Sequence, residues 1–548
     1  QRPFPAPERV LNSVIAAEVS GETPGYAVLV SRDGKILWEA GFGMANLATK
    51  EAVTPGTVFR IGSITKQFVA SAVLLCEEEG RFSVNDPLSR FFPDYPGGDK
   101  ITLKHLLTHT SGIKSYTSLP DFMTHVKEPR TPEQMMAGFQ NLPPDFAPGA
   151  GFAYCNSGYF LLAEVVRRAS GESYDSLLQR RVYLSQHMYS TGPHRPSLGL
   201  AFEARGYQEA GSKWRPAVDW HMSQAGGAGE LYSTVGDLQR WNEAVFGDHV
   251  LTPESRKKAH TPEPKAGSEA AGAFAQKYAF GWMADEVRGL KVISHSGGLH
   301  GFSSELRRYP DQKVTVTVLC NSMEGVGGLN TAMIADIAAR QYLWREMSPQ
   351  PCFQEEPLPE GVKLTDYVAT FDFPGLGVLR SRVVKDSLQV RLASQVWSKV
   401  RPAGKDQFRN DSVDATFTFQ RDDKGAIKGV KLTQHGAELE AARYAEPESV
   451  KPEPGQLAPL AGTYELIAGK MVFREDAKAG VLMGRLGGQP ELAYFPVKAE
   501  PLRFFSKIVR VEILFTKSED GKVTGFILQQ GGAVLPAGRV EASLPSKK

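Results

Sequence analysis

Between residues 26 and 40 apolar and polar positions alternate, and the alternation breaks at Arg32-Asp33-Gly34-Lys35, which predicts two strands joined by a hairpin turn. The period then changes. Ser63-Ile64-Thr65-Lys66 runs into an apolar stretch reaching Cys76, which predicts a helix that opens at Ser63. Helix-forming segments follow over 101–108, 132–139 and 158–169, separated by loops rich in Pro and Gly. A second β region starts near Val292 and holds a hairpin, with strands at about 302–309 and 314–319 around Pro310-Asp311-Gln312-Lys313. A helical run over 329–343 closes the unit. Strands at both ends with helices between predict an α/β (α+β) domain, its sheet assembled from distant parts of the chain beside a helical subdomain.

Composition then shifts. The Pro-rich stretches 348–360 and 447–457 read as linkers, which divides the chain into 1–347, 361–446 and 458–548. The last two segments repeat one another. Gly425, Gly429 and Gly436 match Gly521, Gly525 and Gly532 at one constant offset, and Thr370-Phe371-Asp372 matches Thr463-Tyr464-Glu465. Many short alternating strands and no helical period predict two copies of a small all-β barrel.

A length of 548 residues fits several domains, and 41% apolar with 23% charged residues places them among ordinary globular proteins. A net charge of +2 gives no electrostatic case for nucleic acid or an anionic membrane, so the expected partner is a small molecule or short peptide. No stretch approaches the roughly 18 apolar residues of a membrane span. Four cysteines are too few for a disulfide scaffold, and Cys76 and Cys320 fall in apolar segments where buried free thiols are expected. A chain that starts at Gln1 rather than methionine is expected to have lost an upstream segment, either a signal peptide or residues beyond an arbitrary boundary. A periplasmic or secreted location goes with the first reading; a cytoplasmic one stays open.

Ser63 and Lys66 lie three apart at a helix start, so the amine can reach the hydroxyl. Burial against Val69, Ala70 and Val73 would lower the lysine pKa and leave an amine able to take the serine proton. Two other Ser-x-x-Lys strings show how common the pattern is: Ser111 to Lys114 reads as a loop and Ser255 to Lys258 as a solvated face. Tyr154-Cys155-Asn156, in a Gly/Ser loop before a helix, and His295-Ser296-Gly297, after an apolar strand, add a phenol, an amide and an imidazole. Taken singly, each has a plain structural reading as a helix cap, a core tyrosine or a strand-capping histidine. His105 and His109, four apart on a predicted helix, lack both a glutamate between them and a third ligand, so no metal is expected. Gly226-Gly227-Ala228-Gly229 reads as a place where backbone comes close to substrate.

In order and spacing these three motifs resemble the Ser-x-x-Lys, Tyr-x-Asn and Lys-Thr-Gly elements of the penicillin-recognising serine hydrolases, in the class C β-lactamase-like branch. Leu106 to Ile113 and Ala225 to Leu238 match the same branch, and the two repeats resemble the lipocalin-like barrels of bacterial D-aminopeptidases. The resemblance implies catalysis by Ser63, Lys66 and Tyr154 through an acyl-enzyme. Ser63 would be acylated, Lys66 would take its proton, and Tyr154 would protonate the leaving group and activate water. Asn156, His295, Gly297 and Gly298 would bind substrate, with the Ser63 and Gly298 backbone N–H groups as oxyanion donors. No cofactor is implied, and a homodimer is left open. His295 stands where β-lactamases carry lysine, which moves the expected substrate from β-lactams to short peptides or amides with D-residues. A carboxylesterase is the alternative, a β-lactamase or DD-carboxypeptidase the third reading, and a binding protein with a relic hydrolase domain the fourth. The segment Gly469 to Gly488 is the candidate for a barrel loop that restricts the substrate.

Overall fold

The computed structural model describes residues 6–119, 122–210, 213–263, 276–348, 356–359, 361–373, 377–393, 397–410, 415–434, 437–453, 455–466, 469–486, 491–530 and 533–540. Two compact units emerge, the second beginning near residue 351 and holding two barrels.

The first unit is built on an antiparallel sheet of β1 (Tyr26–Arg32), β2 (Lys35–Phe42), β3 (Met283–Val287), β4 (Leu290–Leu299), β5 (Phe302–Tyr309) and β6 (Val314–Cys320). The order across it is β3-β4-β5-β6-β1-β2, so the first hairpin pairs with a strand nearly 300 residues away, Val28 opposite Val318. Helices α1 (Pro7–Glu18), α2 (Thr65–Glu78), α3 (Asn156–Ser170), α4 (Val235–Phe246) and α5 (Thr331–Leu343) surround it. Val28, Val30, Val316 and Val318 share one core with Leu11 and Ile15 of α1 and Ile334 and Ala338 of α5. On the other side, Thr315 donates to Asn242 Oδ1 of α4 at 3.3 Å. With both faces covered, β6 is buried along its whole length, which is why it reads as a β-branched run and not as an alternation.

Helix α2 is buried from Thr65 to Cys76. Its Phe68 stacks on Trp241 of α4 with ring centroids 3.9 Å apart, and the Trp241 indole N–H donates to Gln67 Oε1 at 3.2 Å. A helix enclosed on all sides has no polar stripe, as its sequence indicates. Cys76 and Cys320 are buried free thiols. The helix expected over 101–108 is shorter, Leu103–Leu107, capped by Thr102 Oγ1, which accepts from the His105 N–H at 3.2 Å. His109 lies beyond its end at φ 59°, so the two imidazoles share no helix face.

The second unit holds two closed eight-stranded antiparallel barrels, with strands from Thr370 to Arg443 and from Gly462 to Arg539. The internal repeat is visible strand by strand: Ile427–Gln434 corresponds to Val523–Gln530, and each barrel has a register shift at the matching place, Gln420/Arg421 and Thr516/Lys517. Gly429 and Gly525 recur because a Cβ there would lie 2.9 and 2.1 Å from the carbonyl oxygens of Ala441 and Ala537. The third matched pair, Gly436 and Gly532, lies outside the described residues, as does most of the first linker. Each barrel closes on its own aromatic core: Tyr367, Phe371, Phe408 and Phe419 in the first, Tyr464, Phe473, Phe515 and Phe526 in the second. The segment proposed as a substrate-restricting loop is strand over most of its length, Gly469–Asp476 and Val481–Leu486, because alternate residues such as Met471 and Phe473 face the barrel core; residues 487 and 488 lie outside the described set.

Candidate active site

Ser63 sits in a 3-10 turn, Gly62–Ile64, that leads directly into α2. Gly62 has φ +52°, and a Cβ on it would come within 2.9 Å of the Gly298 nitrogen. Strand β4 is pressed equally hard on the turn at Gly297, where a Cβ would meet the Ile61 carbonyl oxygen at 2.1 Å. Ser304 of the neighbouring β5 fixes the approach by donating to the same carbonyl at 2.8 Å. Glycine at 62 and 297 is thus a steric demand of the site, and it brings the Gly298 amide beside Ser63.

Lys66 is 0% exposed, and burial lowers its pKa from 10.5 to about 7. Its nitrogen has three neighbours: Ala228 O at 2.7 Å, Asn156 Oδ1 at 2.8 Å and Ser63 Oγ at 3.0 Å. The carbonyl oxygens can only accept, so they take two N–H bonds in either protonation state. The third direction, toward Ser63, is an N–H in the ammonium and a lone pair in the amine. In the amine form the Ser63 hydroxyl donates to Lys66, the geometry a general base requires.

Asn156 is held from the other side, its amide Nδ2 donating to Thr117 Oγ1 at 2.9 Å and its backbone N–H to Ser115 Oγ at 3.1 Å. Expected to face substrate, it spends its carbonyl on Lys66 and one amide hydrogen on Thr117, leaving one N–H. Tyr154, two residues before, hydrogen-bonds with Ser63 and Tyr278, and burial raises its phenol above the usual range in spite of those bonds. The Lys66 nitrogen lies 4.9 Å from its ring centroid. His109 packs on Tyr154 with centroids 4.2 Å apart and accepts the Cys155 N–H at Nδ1, 3.0 Å away.

His295 on β4 is 4% exposed, with its pKa lowered to about 3 by burial and by the nearby Lys66 charge. Its Nδ1 contacts the Ser296 carbonyl at 2.6 Å and its Nε2 the Tyr278 hydroxyl at 3.0 Å. Expected to bind substrate, it is bonded instead to Tyr278, a residue between Tyr154 and β4 that sequence reading missed. Tyr278 precedes Ala279-Phe280-Gly281-Trp282 with no periodic or spacing signal, so only the tertiary fold exposes it. Ala228 O was missed in the same way.

The Gly226–Gly229 run also differs from expectation. Cβ atoms would lie 2.5 Å from Phe160 at Gly226 and 2.5 Å from Ala163 at Gly227, so these glycines admit α3, not substrate, and let Ala228 O reach Lys66. The other two Ser-x-x-Lys lysines are paired elsewhere, Lys114 with Asp145 and Lys258 with Glu77. Ser255, expected on a solvated face, is 6% exposed because α-helical residues 253–260 turn it inward.

A mixed sheet-and-helix unit with Ser, Lys and Tyr converging at one helix start is the arrangement of a serine hydrolase. The Beta-lactamase family profile matches residues 11–339, and the chain belongs to that family of serine hydrolases. Among its relatives is penicillin-binding protein 4* of Bacillus subtilis (strain 168), 27% identical over 439 residues that cover 76% of this chain and 94% of that one. Among solved structures, the octameric penicillin-binding protein homologue from Pyrococcus abyssi aligns with a TM-score of 0.55 at 23% identity, covering 79% of this chain and 99% of its own. A D-stereospecific amidohydrolase from Streptomyces sp. aligns with a TM-score of 0.50 at 25% identity, covering 61% and 98%.

Proposed function

We propose that this protein hydrolyses short peptides or amides, with preference for D-residues, through an acyl-enzyme on Ser63. The observation that carries the reading is the three-way setting of Lys66, which turns a lone pair on Ser63 when the amine is neutral. As Ser63 Oγ bonds to the substrate carbonyl carbon, its proton passes to Lys66. The backbone N–H groups of Ser63 and Gly298 hold the oxyanion. Tyr154 protonates the leaving nitrogen as the C–N bond breaks and is reprotonated by the Lys66 ammonium. In the second half a water loses its proton through Tyr154 to Lys66, adds to the acyl carbon, and Ser63 departs with the proton.

Two observations favour a charged peptide over a simple ester. A polar cavity of about 350 Å³ is lined by Arg60, just before the nucleophile turn, and by His300 and Phe302, just after Gly298. Arg60 pairs there with Asp219 at 2.6 Å, so both signs of charge are offered to a substrate's ends. Likeness to a D-stereospecific amidohydrolase supports the stereochemical preference.

A panel of D-alanyl and L-alanyl nitroanilides, short-chain nitrophenyl esters and a chromogenic cephalosporin tests the reading, with Ser63→Ala as control. Turnover of the D-anilide above the L-anilide, abolished in Ser63→Ala, is the expected result. Turnover confined to esters would make the protein a carboxylesterase, and no labelling of Ser63 by a fluorophosphonate would remove the enzymatic reading.

A further inference from the structure

Tyr278 is 0% exposed and takes no part in the reaction above, yet it touches the residue that delivers the proton. Its environment fixes its hydrogen-bond polarity. The Ser296 carbonyl can only accept, so His295 Nδ1 carries the hydrogen, and the neutral ring leaves Nε2 as an acceptor. The Tyr278 hydroxyl must therefore donate to His295. Toward its other neighbours Tyr278 offers lone pairs only. Tyr159 cannot use them, because its own proton goes to the Leu107 carbonyl at 2.9 Å. Tyr154 can.

We propose that Tyr278, with its proton held by His295, is a positioning residue that accepts the Tyr154 O–H and keeps Tyr154 a phenol, so that its proton is reserved for the leaving group. The inference rests on the acyl-enzyme reading. An acceptor stabilises a phenol and disfavours a phenolate, so the relay makes Lys66 the base and Tyr154 the acid. The remaining titratable neighbours do not replace it. Lys66 of α2 lies over the Tyr154 ring, and its two carbonyl partners and Ser63 occupy its nitrogen. His109, beyond the Leu103–Leu107 helix, is held by the Cys155 N–H at Nδ1, and the Cys155 thiol donates to the Ile113 carbonyl at 3.1 Å. Tyr159 of α3 is committed to Leu107.

The test is the pH profile of kcat/KM for Tyr278→Phe, His295→Leu and His295→Gln. Loss of the acceptor in Tyr278→Phe lowers the alkaline limb, with kcat/KM at the alkaline end down roughly tenfold for every pH unit the limb moves, while the acid limb near pH 7 stays in place. In His295→Leu the Tyr278 proton is released to donate to Tyr154, which favours the phenolate and brings the limb lower still. The Gln side-chain carbonyl can accept from Tyr278, so His295→Gln returns the limb to its wild-type position whatever its absolute rate. A uniform loss across pH in Tyr278→Phe, or limbs in His295→Leu and His295→Gln that coincide, would overturn the proposal. Fluorophosphonate labelling of wild-type Ser63 separates the two levels: normal labelling with an unmoved limb sinks the relay alone, and absent labelling sinks the acyl-enzyme with it.

Discussion

Lys66 sets the pH at which the site can work. Its folded pKa is about 7 against an ordinary 10.5, lowered by burial with no carboxylate beside it to offset the loss of solvation. Activity should therefore rise with pH to a plateau above about pH 8, with an acid midpoint near 7, as pre-steady-state acylation across pH 5 to 9 would record. Stability is linked in the same direction. Between pH 7 and 10.5 the unfolded chain holds a proton that the folded chain has lost, so Lys66 makes folding more favourable as pH rises through that window. At about 1.4 kcal/mol per pH unit the full change is on the order of 5 kcal/mol, and Lys66→Met should flatten the urea midpoint over this range while abolishing turnover. The Ser63–Lys66 pair was legible in the sequence because helical spacing alone brings them together. Ala228 O and Tyr278 were not, since they reach the site from 162 residues away in one case and by side-chain packing in the other.

Among the elements, the contact of β4 with the Ser63 turn places the oxyanion donors. Gly297→Ala would put a methyl 2.1 Å from the Ile61 carbonyl and 2.3 Å from Ser304 Oγ, so the strand must retreat. A displacement of that size should lower kcat by about 100-fold with little change in far-UV circular dichroism. Gly227→Ala should act on the opposite wall, lifting Ala228 O from Lys66 and raising the acid midpoint of the pH profile or weakening acylation, because Ala163 and the Tyr159 carbonyl leave no room. The strands and hairpins around these contacts were readable from alternation and turn residues: Asp33 and Gly34, at φ 53° and 76°, form the turn that Asp-Gly predicts. Helix boundaries were less so. The α3 start at Asn156 and the end at Leu107 depend on side chains folding back from loops, Ser115 and Thr102, and a hydrophobic period carries no record of them.

Across the whole molecule, every side chain placed around Ser63 comes from the first unit, and that unit owns its core. Val28, Val316, Ile15 and Ile334 close it, and each barrel closes around aromatics of its own. Separate cores imply separate cooperative transitions, so calorimetry of the full chain should resolve more than one unfolding event. A fragment ending at Ser348 should keep the transition of the first unit and be labelled at Ser63 with the same acid midpoint near 7. Loss of labelling in a fragment that still unfolds cooperatively would mean that the barrels complete the site. Should labelling persist, turnover of a D-alanyl tripeptide relative to the dipeptide decides what the barrels do: a rise in the fragment assigns them the restriction of substrate length, and an unchanged ratio leaves selection to the cavity around Arg60 and Asp219.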